Sequence, residues 1–168
     1  MTRNRVLALF LAAALTPACT RPAESEKNVA ARNQPARAAE AKDPQGNTPL
    51  INEVNRGDSA GVRRLIEDGA QVNAPSSTGV TPLMNAAGMG NADIVRILID
   101  KGADPNAKTP SGYTALMSAA LNGQAEIVKM LLDAGADPKA KDVGGRTAAD
   151  YAADHKHKEI VDLLGPAR

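Results

Sequence analysis

Two histidines are the first residues in this chain that could do chemistry, because His155 and His157 are its only histidines and lie two residues apart. Imidazole nitrogens bind zinc and other transition metals, but a metal site needs three or four ligands in a defined arrangement. The single cysteine, Cys19, lies far away in the sequence, and no spaced set of histidines and carboxylates completes a ligand shell. We therefore interpret both histidines as solvated polar residues and expect no bound metal or cofactor.

A short glycine-rich segment, Gly88-Met89-Gly90, could suggest a phosphate-binding loop. It lacks the third glycine and the preceding strand that such a loop requires, so we interpret it as a turn between helices. Asp100 with Asp104, and Asp133 with Asp137, fit turn and helix-end structure better than acid–base catalysis. Since no nucleophile and base stand in a convincing pattern, the sequence predicts a protein that is not an enzyme.

The charge balance excludes a polyanion as an obvious partner. Twenty Lys and Arg residues face 19 Asp and Glu residues, giving a net charge of +1, and a basic footprint is what nucleic-acid binding requires. Phe10, Tyr113 and Tyr151 are the only aromatic residues, so there is also no row of rings on which bases could stack. We expect no nucleic-acid partner.

The first eighteen residues have the order of a secretory signal peptide. Arg3 and Arg5 form a basic start, residues 6–15 form an apolar run, and Thr16-Pro17-Ala18 supplies small residues near a cleavage point. A run of this length is too short for a transmembrane helix, which needs about 20 apolar residues. The sequence therefore predicts export from a bacterial cytoplasm.

Cys19 follows this segment, and Ala18-Cys19 resembles the end of a bacterial lipoprotein signal, whose cysteine becomes lipidated. Two departures are Leu15, which stands one place too far upstream, and Pro17, which is unusual there. The alternative is ordinary cleavage after Ala18, with Thr16 and Ala18 as the small pair. We favour lipidation at Cys19, because a lone thiol would otherwise be reactive in an oxidising compartment. Either outcome places the protein on the periplasmic side of the envelope, lipid-anchored or soluble.

Residues 19–44 are predicted to hold the lipid attachment site and a flexible tether. The segment is rich in Ala, Glu, Lys, Arg and Pro and has almost no large apolar side chain. Such a composition offers nothing with which to build a core. The membrane contact that we expect is therefore confined to the lipid anchor.

The rest of the chain repeats itself at a fixed period. Gly46, Gly79, Gly112 and Gly145 stand 33 residues apart, and four threonines that each follow two residues later keep the same spacing. A period of this length is typical of stacked supersecondary units that bury their apolar faces against one another.

The repeated unit resembles the ankyrin repeat. The residues that carry the resemblance are Gly79-Val80-Thr81-Pro82-Leu83, Ala86-Ala87, Gly90, Ile94-Val95, Leu98-Ile99 and Gly102-Ala103-Asp104, and eighteen of 33 positions are identical in the following unit. The resemblance implies an all-α solenoid over residues 45–168, with four helix–turn–helix repeats and short hairpin-like connecting loops. The repeats are placed at residues 46–78, 79–111, 112–144 and 145–165.

Each repeated residue has a physical task. Thr81 is expected to cap a helix whose first position is Pro82, where the missing N–H costs nothing. Ala86 and Ala87 allow a neighbouring helix to approach, and Gly90 can adopt the left-handed conformation that ends a helix. The apolar stripe of the second helix must be covered by the next repeat.

The outer repeats depart from the pattern by carrying polar residues, which is what the ends of a repeat stack require for solubility. In the first repeat these residues are Asn55, Arg56, Arg63, Arg64 and Glu67, and in the fourth they are Asp154, His155, Lys156, His157 and Lys158. We therefore count two inner and two capping repeats.

A second departure concerns the histidine that commonly follows Thr-Pro-Leu in this family and helps to tie hairpins together. Ile51, Met84, Met117 and Asp150 take its place. We expect the hairpin row to be held more by packing than by hydrogen bonds.

In this family, binding takes place on a concave face made of hairpin tips and the ends of first helices. Carried onto this chain, the resemblance gives ten partner-binding candidates: Arg56, Val80, Met89, Lys108, Ser111, Tyr113, Leu121, Asn122, Val143 and Arg146. Met89, Leu121 and Tyr113 are prominent, because apolar and aromatic side chains at otherwise solvated positions suit a protein interface.

The resulting expectation is a monomeric, non-catalytic scaffold of the cell envelope that binds a partner protein. The alternative is a metal- or haem-handling accessory protein that uses His155, His157 and Met89. The fold does not supply the identity of the partner.

Overall fold

The structure is a computed structural model that describes residues 41–165. The predicted signal peptide, Cys19 and the tether up to residue 40 lie outside the described residues, as do residues 166–168.

Four pairs of short helices make up the described part of the chain, and this confirms the predicted all-α repeat architecture. The pairs are α1 (Pro49–Arg56) with α2 (Ser59–Glu67), α3 (Pro82–Met89) with α4 (Ala92–Asp100), α5 (Ala115–Leu121) with α6 (Ala125–Asp133), and α7 (Ala148–Asp154) with α8 (Lys158–Leu164). Each pair falls within one predicted repeat. None of the helices in residues 41–165 has the length and apolar character that crossing a membrane demands.

A threonine side chain starts the first helix of every repeat. The Oγ1 atoms of Thr48, Thr81, Thr114 and Thr147 accept a hydrogen bond from the backbone N–H three residues later, at 3.2 to 3.3 Å. This contact satisfies one of the amides that a helix start leaves without a partner. Pro49 and Pro82 then occupy the first turn. The predicted helix start at Thr81 and Pro82 is confirmed.

The end of the first helix requires a left-handed residue, and three repeats place glycine there. Gly57, Gly90 and Gly123 have φ angles of 72°, 80° and 74°. The fourth repeat has Lys156, with φ 62°, at the same position. A side chain in this conformation costs about 1–2 kcal/mol, because Cβ crowds the following carbonyl. The last repeat is therefore more strained than the inner ones.

The helices form two rows with the core between and within them. The first helices α1, α3, α5 and α7 pack side by side more closely than the second helices α2, α4, α6 and α8. Ala86, Ala87, Ala119 and Ala120 are fully buried in the first row, where their small size allows this approach. The largest buried side chains include Leu83, Met84, Ile94, Leu98, Leu116, Met117, Ile127 and Leu131.

The first repeat contains a paired exchange of residues. Glu53 stands where the next repeat has Ala86, and Gly61 stands where it has Ile94. A Cβ atom on Gly61 would lie 2.8 Å from Oε2 of Glu53. The glycine therefore makes room for a carboxylate that caps the stack. All five polar residues that were predicted to face outward in this repeat are exposed.

Asparagines tie neighbouring repeats together in the connections that follow the second helices. The side chain of Asn106 donates to the carbonyl of Gly135 at 2.9 Å and accepts from the N–H of Asp137 at 2.8 Å. Asn73 makes the same pair of bonds to Gly102 and Asp104. One amide side chain thus fixes the start of the next loop.

We predict that Asn106→Ala lowers the free energy of unfolding by about 1–2 kcal/mol, because two inter-repeat hydrogen bonds are lost at roughly 0.5–1.5 kcal/mol each. Urea denaturation followed by circular dichroism would measure the change. Lys139 occupies the same position in the third repeat, and its side chain makes no such bond within residues 41–165. Lys139→Ala is the matched control and should change stability by less than about 0.5 kcal/mol. Equal losses in the two variants would contradict the bridging role of Asn106.

Candidate protein-binding surface

Four hairpin turns of nearly identical geometry precede the first helices. Each begins with Asp43, Ser76, Thr109 or Asp142, whose backbone N–H donates to the carbonyl four residues later at 2.8 to 3.1 Å. The side-chain oxygen of that first residue accepts the N–H of the same later residue. This double contact fixes the residue that leaves the turn. Those residues are Asn47, Val80, Tyr113 and Arg146.

Hydrogen bonds also join neighbouring hairpins. The N–H of Ser77 donates to the carbonyl of Gly46 at 2.8 Å, and the N–H of Val143 donates to that of Ser111 at 2.9 Å. Between the second and third hairpins Pro110 has no N–H and instead packs over Gly79, where a Cβ would lie 2.5 Å from the proline ring. Two of the three junctions therefore have one backbone hydrogen bond each, and the expectation that packing contributes more than hydrogen bonds stays a prediction. Backbone groups supply the link that the missing histidines do not.

An aromatic and charged cluster lies where the last two hairpins meet α7. The rings of Tyr113 and Tyr151 pack edge to face with centroids 5.5 Å apart and an interplanar angle of 89°. The guanidinium carbon of Arg146 lies 4.0 Å from the centre of the Tyr151 ring, and the same side chain forms a salt bridge with Asp154. Hairpin and helix residues thus share one surface. We call Tyr113, Asp142, Arg146, Tyr151 and Asp154 the tyrosine–arginine cluster.

Asp142 completes this cluster from the hairpin side. Its Oδ2 accepts a hydrogen bond from the Tyr151 hydroxyl at 2.7 Å, and its Oδ1 accepts the backbone N–H of Arg146 at 2.9 Å. These two bonds, the tyrosine hydroxyl first, lower the pKa of Asp142 below 3.8. The Asp142 carboxylate therefore closes the last hairpin turn and also holds the Tyr151 ring in place.

Both tyrosines stay uncharged at neutral pH. Burial, followed by the hydrogen bond and the negative charge of Asp142, raises the pKa of Tyr151 to about 12. Burial also raises the pKa of Tyr113 above its usual 10. The cluster consequently presents neutral rings beside a permanent cation. Rings and guanidinium groups held in this way are typical of the residues that dominate protein interfaces.

Two family models match the sequence over overlapping ranges. Ankyrin repeats (3 copies) match residues 26–109, and Ankyrin repeats (many copies) match residues 102–152. The chain belongs to the ankyrin-repeat family. The first match begins inside the segment predicted to be a tether, ahead of the described residues. A search of curated proteins found no match.

The predicted binding residues of these ankyrin repeats fall into two groups by exposure. Six of them are exposed, namely Arg56, Met89, Lys108, Ser111, Asn122 and Val143. The other four are half-buried, namely Val80, Tyr113, Leu121 and Arg146. Met89 at 51 % and Val143 at 81 % are exposed large apolar side chains, the kind of surface that partners cover.

The structure brings some of these residues together and leaves others apart. Tyr113 and Arg146 meet through Tyr151. Arg56 lies in the first repeat and pairs with Glu53 at 2.7 Å. The amide of Asn122 donates to the carbonyl of Ser118, so part of its hydrogen-bonding capacity is already used.

Tyr151, Asp142 and Asp154 were not among the ten candidates, yet they complete the cluster. The repeat period could have identified Tyr151, because it stands at the position of Asn52, Asn85 and Ser118. Those residues lie on the outward side of their helices and are part-exposed. Asp142 is half-buried and accepts the Tyr151 hydroxyl, a contact that only the structure shows.

The glycine-rich segment is part of an ankyrin helix. Gly88 and Met89 lie in α3, and only Gly90 belongs to the turn that follows it, which corrects the interpretation of the whole segment as a turn. A Cβ atom on Gly88 would lie 2.6 Å from the hydroxyl of Ser118. The glycine thus allows α3 and α5 to pack closely.

The two histidines have different environments. His155 is exposed, whereas His157 is half-buried, with its Nε2 3.1 Å from the carbonyl of Leu121. The ring of His157 also covers Gly123 of the preceding repeat, where a Cβ would lie 2.7 Å away. The prediction of a solvated side chain was therefore wrong for His157. It is a contact between repeats.

The alternative metal site receives no geometric support. Residues 41–165 contain no group of three or more histidine, cysteine or acidic side chains placed to hold a metal ion. Met89 ends α3, two repeats before the two histidines. Asp104 and Asp137 accept the backbone N–H two residues later at 2.8 and 2.9 Å, which confirms their predicted role in loop structure.

We predict that Tyr151→Phe raises the pKa of Asp142 toward 3.8, because the largest cause of its lowering is removed. Carboxyl chemical shifts in an NMR titration would measure this. Asp150 is the internal control, since its pKa is lowered by the N–H and hydroxyl of Thr147 and should not move.

The same variant tests the linkage to stability. A carboxyl whose pKa falls on folding contributes stability above its unfolded value, and that contribution is lost as the pH falls through the folded value. The stability difference between the wild type and Tyr151→Phe should therefore be present at neutral pH and shrink below pH 3.8. A difference that does not change with pH would contradict the Asp142 contact.

Proposed function

We propose that this protein is a non-catalytic scaffold of the bacterial cell envelope that binds a partner protein on its hairpin and first-helix surface. Ankyrin repeats generally mediate protein–protein interaction, and proteins built from them are typically non-enzymatic interaction modules. The envelope location and the choice of surface go beyond the family and are our own proposals.

The tyrosine–arginine cluster is the observation that carries the proposed surface. Stacking uses up the buried side of every repeat, but it leaves the hairpin exits and the outward residues of the first helices uncovered. Tyr113 and Arg146 occupy those positions and are held by Tyr151 and Asp154. A partner that binds there loses little side-chain entropy on the scaffold side, because these side chains are already fixed.

Apolar side chains extend this surface toward the second repeat. Leu121 ends α5 and is half-buried, and Met89 ends α3 and is exposed. The equivalent positions in the first repeat carry Asn55 and Arg56, which are polar. The apolar and aromatic character is therefore concentrated in the second, third and fourth repeats, and we place the centre of the interface there.

Export and lipid attachment rest on the sequence alone. The order of basic, apolar and small residues before Cys19 supports a signal peptide, and the position of the chain's single cysteine supports a lipid anchor. A scaffold attached in this way would hold its partner close to a membrane surface.

We predict that Met89→Glu combined with Leu121→Glu abolishes capture of the partner from envelope extract, because two carboxylates would be buried without counter-ions. Affinity capture followed by mass spectrometry measures the loss, and circular dichroism checks that the fold is kept. Leu163→Glu, at a part-exposed apolar position on α8, is the matched control and should leave capture unchanged. If the double variant captures the same proteins as the wild type, this surface is not the interface.

We predict that Cys19→Ser moves the protein from the membrane fraction to the soluble fraction, because one acyl-bearing residue supplies the whole attachment. Cell fractionation with immunoblotting measures the change. Identical fractionation of the two proteins would contradict the lipid anchor without affecting the binding proposal.

A further inference from the structure

The carboxylates around the tyrosine–arginine cluster already have donors. Asp142 accepts from Tyr151 and Arg146, and Asp154 forms a salt bridge with Arg146. Asp150 accepts both the N–H and the hydroxyl of Thr147 in a capping box. Every acidic side chain that faces this region from its hairpin or from α7 is thus engaged inside the protein.

The cations of the same region are engaged less fully. Lys108 and Lys141 are exposed and immediately precede the first residue of the last two hairpin turns. Neither forms a salt bridge within the part of the chain that the structure describes, although Lys141 helps to lower the pKa of Asp150. Within these two hairpins, Lys108 and Lys141 are therefore the charged residues whose side chains form neither a salt bridge nor a hydrogen bond among residues 41–165.

Arg146 adds a fixed cation beside them. Its Nη2 contacts Asp154, while its remaining side-chain N–H groups have no hydrogen-bond acceptor among residues 41–165. The side chain is 41 % exposed, and both the Tyr151 ring and Asp154 hold its orientation. A guanidinium group has five N–H donors in a planar fork that matches a carboxylate, so most of this capacity is available to a partner.

The hairpin exits show that this cation is placed at one end of the surface. The residues equivalent to Arg146 are Asn47, Val80 and Tyr113. Val80 and Tyr113 offer apolar contact, and only the fourth repeat offers charge at this position. A bound segment that complements these hairpin-exit residues would place an acidic group against Arg146 in the fourth repeat and an apolar group against Tyr113 in the third.

We infer that the surface of the third and fourth repeats recognises a partner segment in which an Asp or Glu residue lies close to a large apolar residue. The carboxylate binds Arg146 with support from Lys108 and Lys141, and the apolar side chain packs on Tyr113 and Leu121. This inference rests on the proposed function and adds the chemistry of the partner.

Selection of a random twelve-residue peptide library on the full-length chain tests the inference. The expected result is enrichment of peptides that contain Asp or Glu near Leu, Ile, Phe or Trp. The affinity of an enriched peptide, measured by fluorescence polarisation, should fall at least tenfold in Arg146→Gln, since hydrogen bonds to charged groups are worth about that factor or more. It should also weaken as the salt concentration rises.

Two further variants keep the test independent of folding. Lys108→Gln with Lys141→Gln changes exposed side chains that form no salt bridge in the described residues, so the fold should be unaffected and affinity should fall several-fold. Arg96→Gln is the matched control, because Arg96 is an exposed arginine on α4, the second helix of its repeat, and forms no salt bridge in the described residues. Its affinity for the peptide should stay within twofold.

The outcomes separate the inference from the proposed function. Enriched peptides without acidic bias, or affinities that ignore both Arg146→Gln and the lysine pair, overturn the inference. If Met89→Glu with Leu121→Glu still abolishes binding of those peptides, the proposed surface stands. If no peptide is enriched, the inference is overturned and the proposed function is decided by the capture experiment. If peptide binding ignores every one of these variants, the proposed surface is overturned as well.

Discussion

The whole structure depends on one constraint: no repeat can bury its apolar face alone. Leu83, Ile94 and Leu98 are almost completely buried, although each belongs to a helix of only eight or nine residues. Helices this short are unstable in isolation, so their stability comes from the neighbouring repeats. The small alanines of the first helices permit this contact, and they set the close spacing of one row. Everything else in the molecule is arranged around the faces that stacking leaves free.

Polar contacts between repeats fix the register that apolar packing alone would leave loose. Asn73 and Asn106 each bind the next loop through two hydrogen bonds. His157 likewise links two repeats, because its ring contacts the carbonyl of Leu121 in the preceding repeat. Hydrophobic contacts are non-directional, whereas these bonds have narrow distance and angle requirements. Directional hydrogen bonds also fix the hairpins, because a side-chain oxygen accepts a backbone N–H in each of the four turns. A surface made from successive hairpins is therefore rigid enough to position Tyr113 and Arg146 for a partner.

The first and last repeats each have one face that no neighbouring repeat covers in the described residues, and they differ from the inner repeats by different substitutions. In the first repeat Gly61 makes space for Glu53, so a charge occupies what is apolar core in the inner repeats. In the last repeat Lys156 accepts a strained conformation where the other repeats have glycine. The last repeat also contributes Tyr151 and Asp154 to the candidate interface. The residues by which the last repeat differs from the others therefore form part of the candidate interface as well as the end of the stack.

The sequence by itself determined the repeat, because a 33-residue period, helix-capping threonines and left-handed glycines are local requirements that each residue meets with its close neighbours. It also determined the number of repeats and the exposure of Met89. Only the tertiary structure decided that Tyr113, Arg146 and Tyr151 meet, that Asp142 binds a tyrosine hydroxyl, and that His157 is a contact between repeats. Those contacts join residues as far as 38 positions apart across adjacent repeats. These contacts depend on the side-chain rotamers and on the distance between neighbouring repeats, and a local sequence pattern specifies neither.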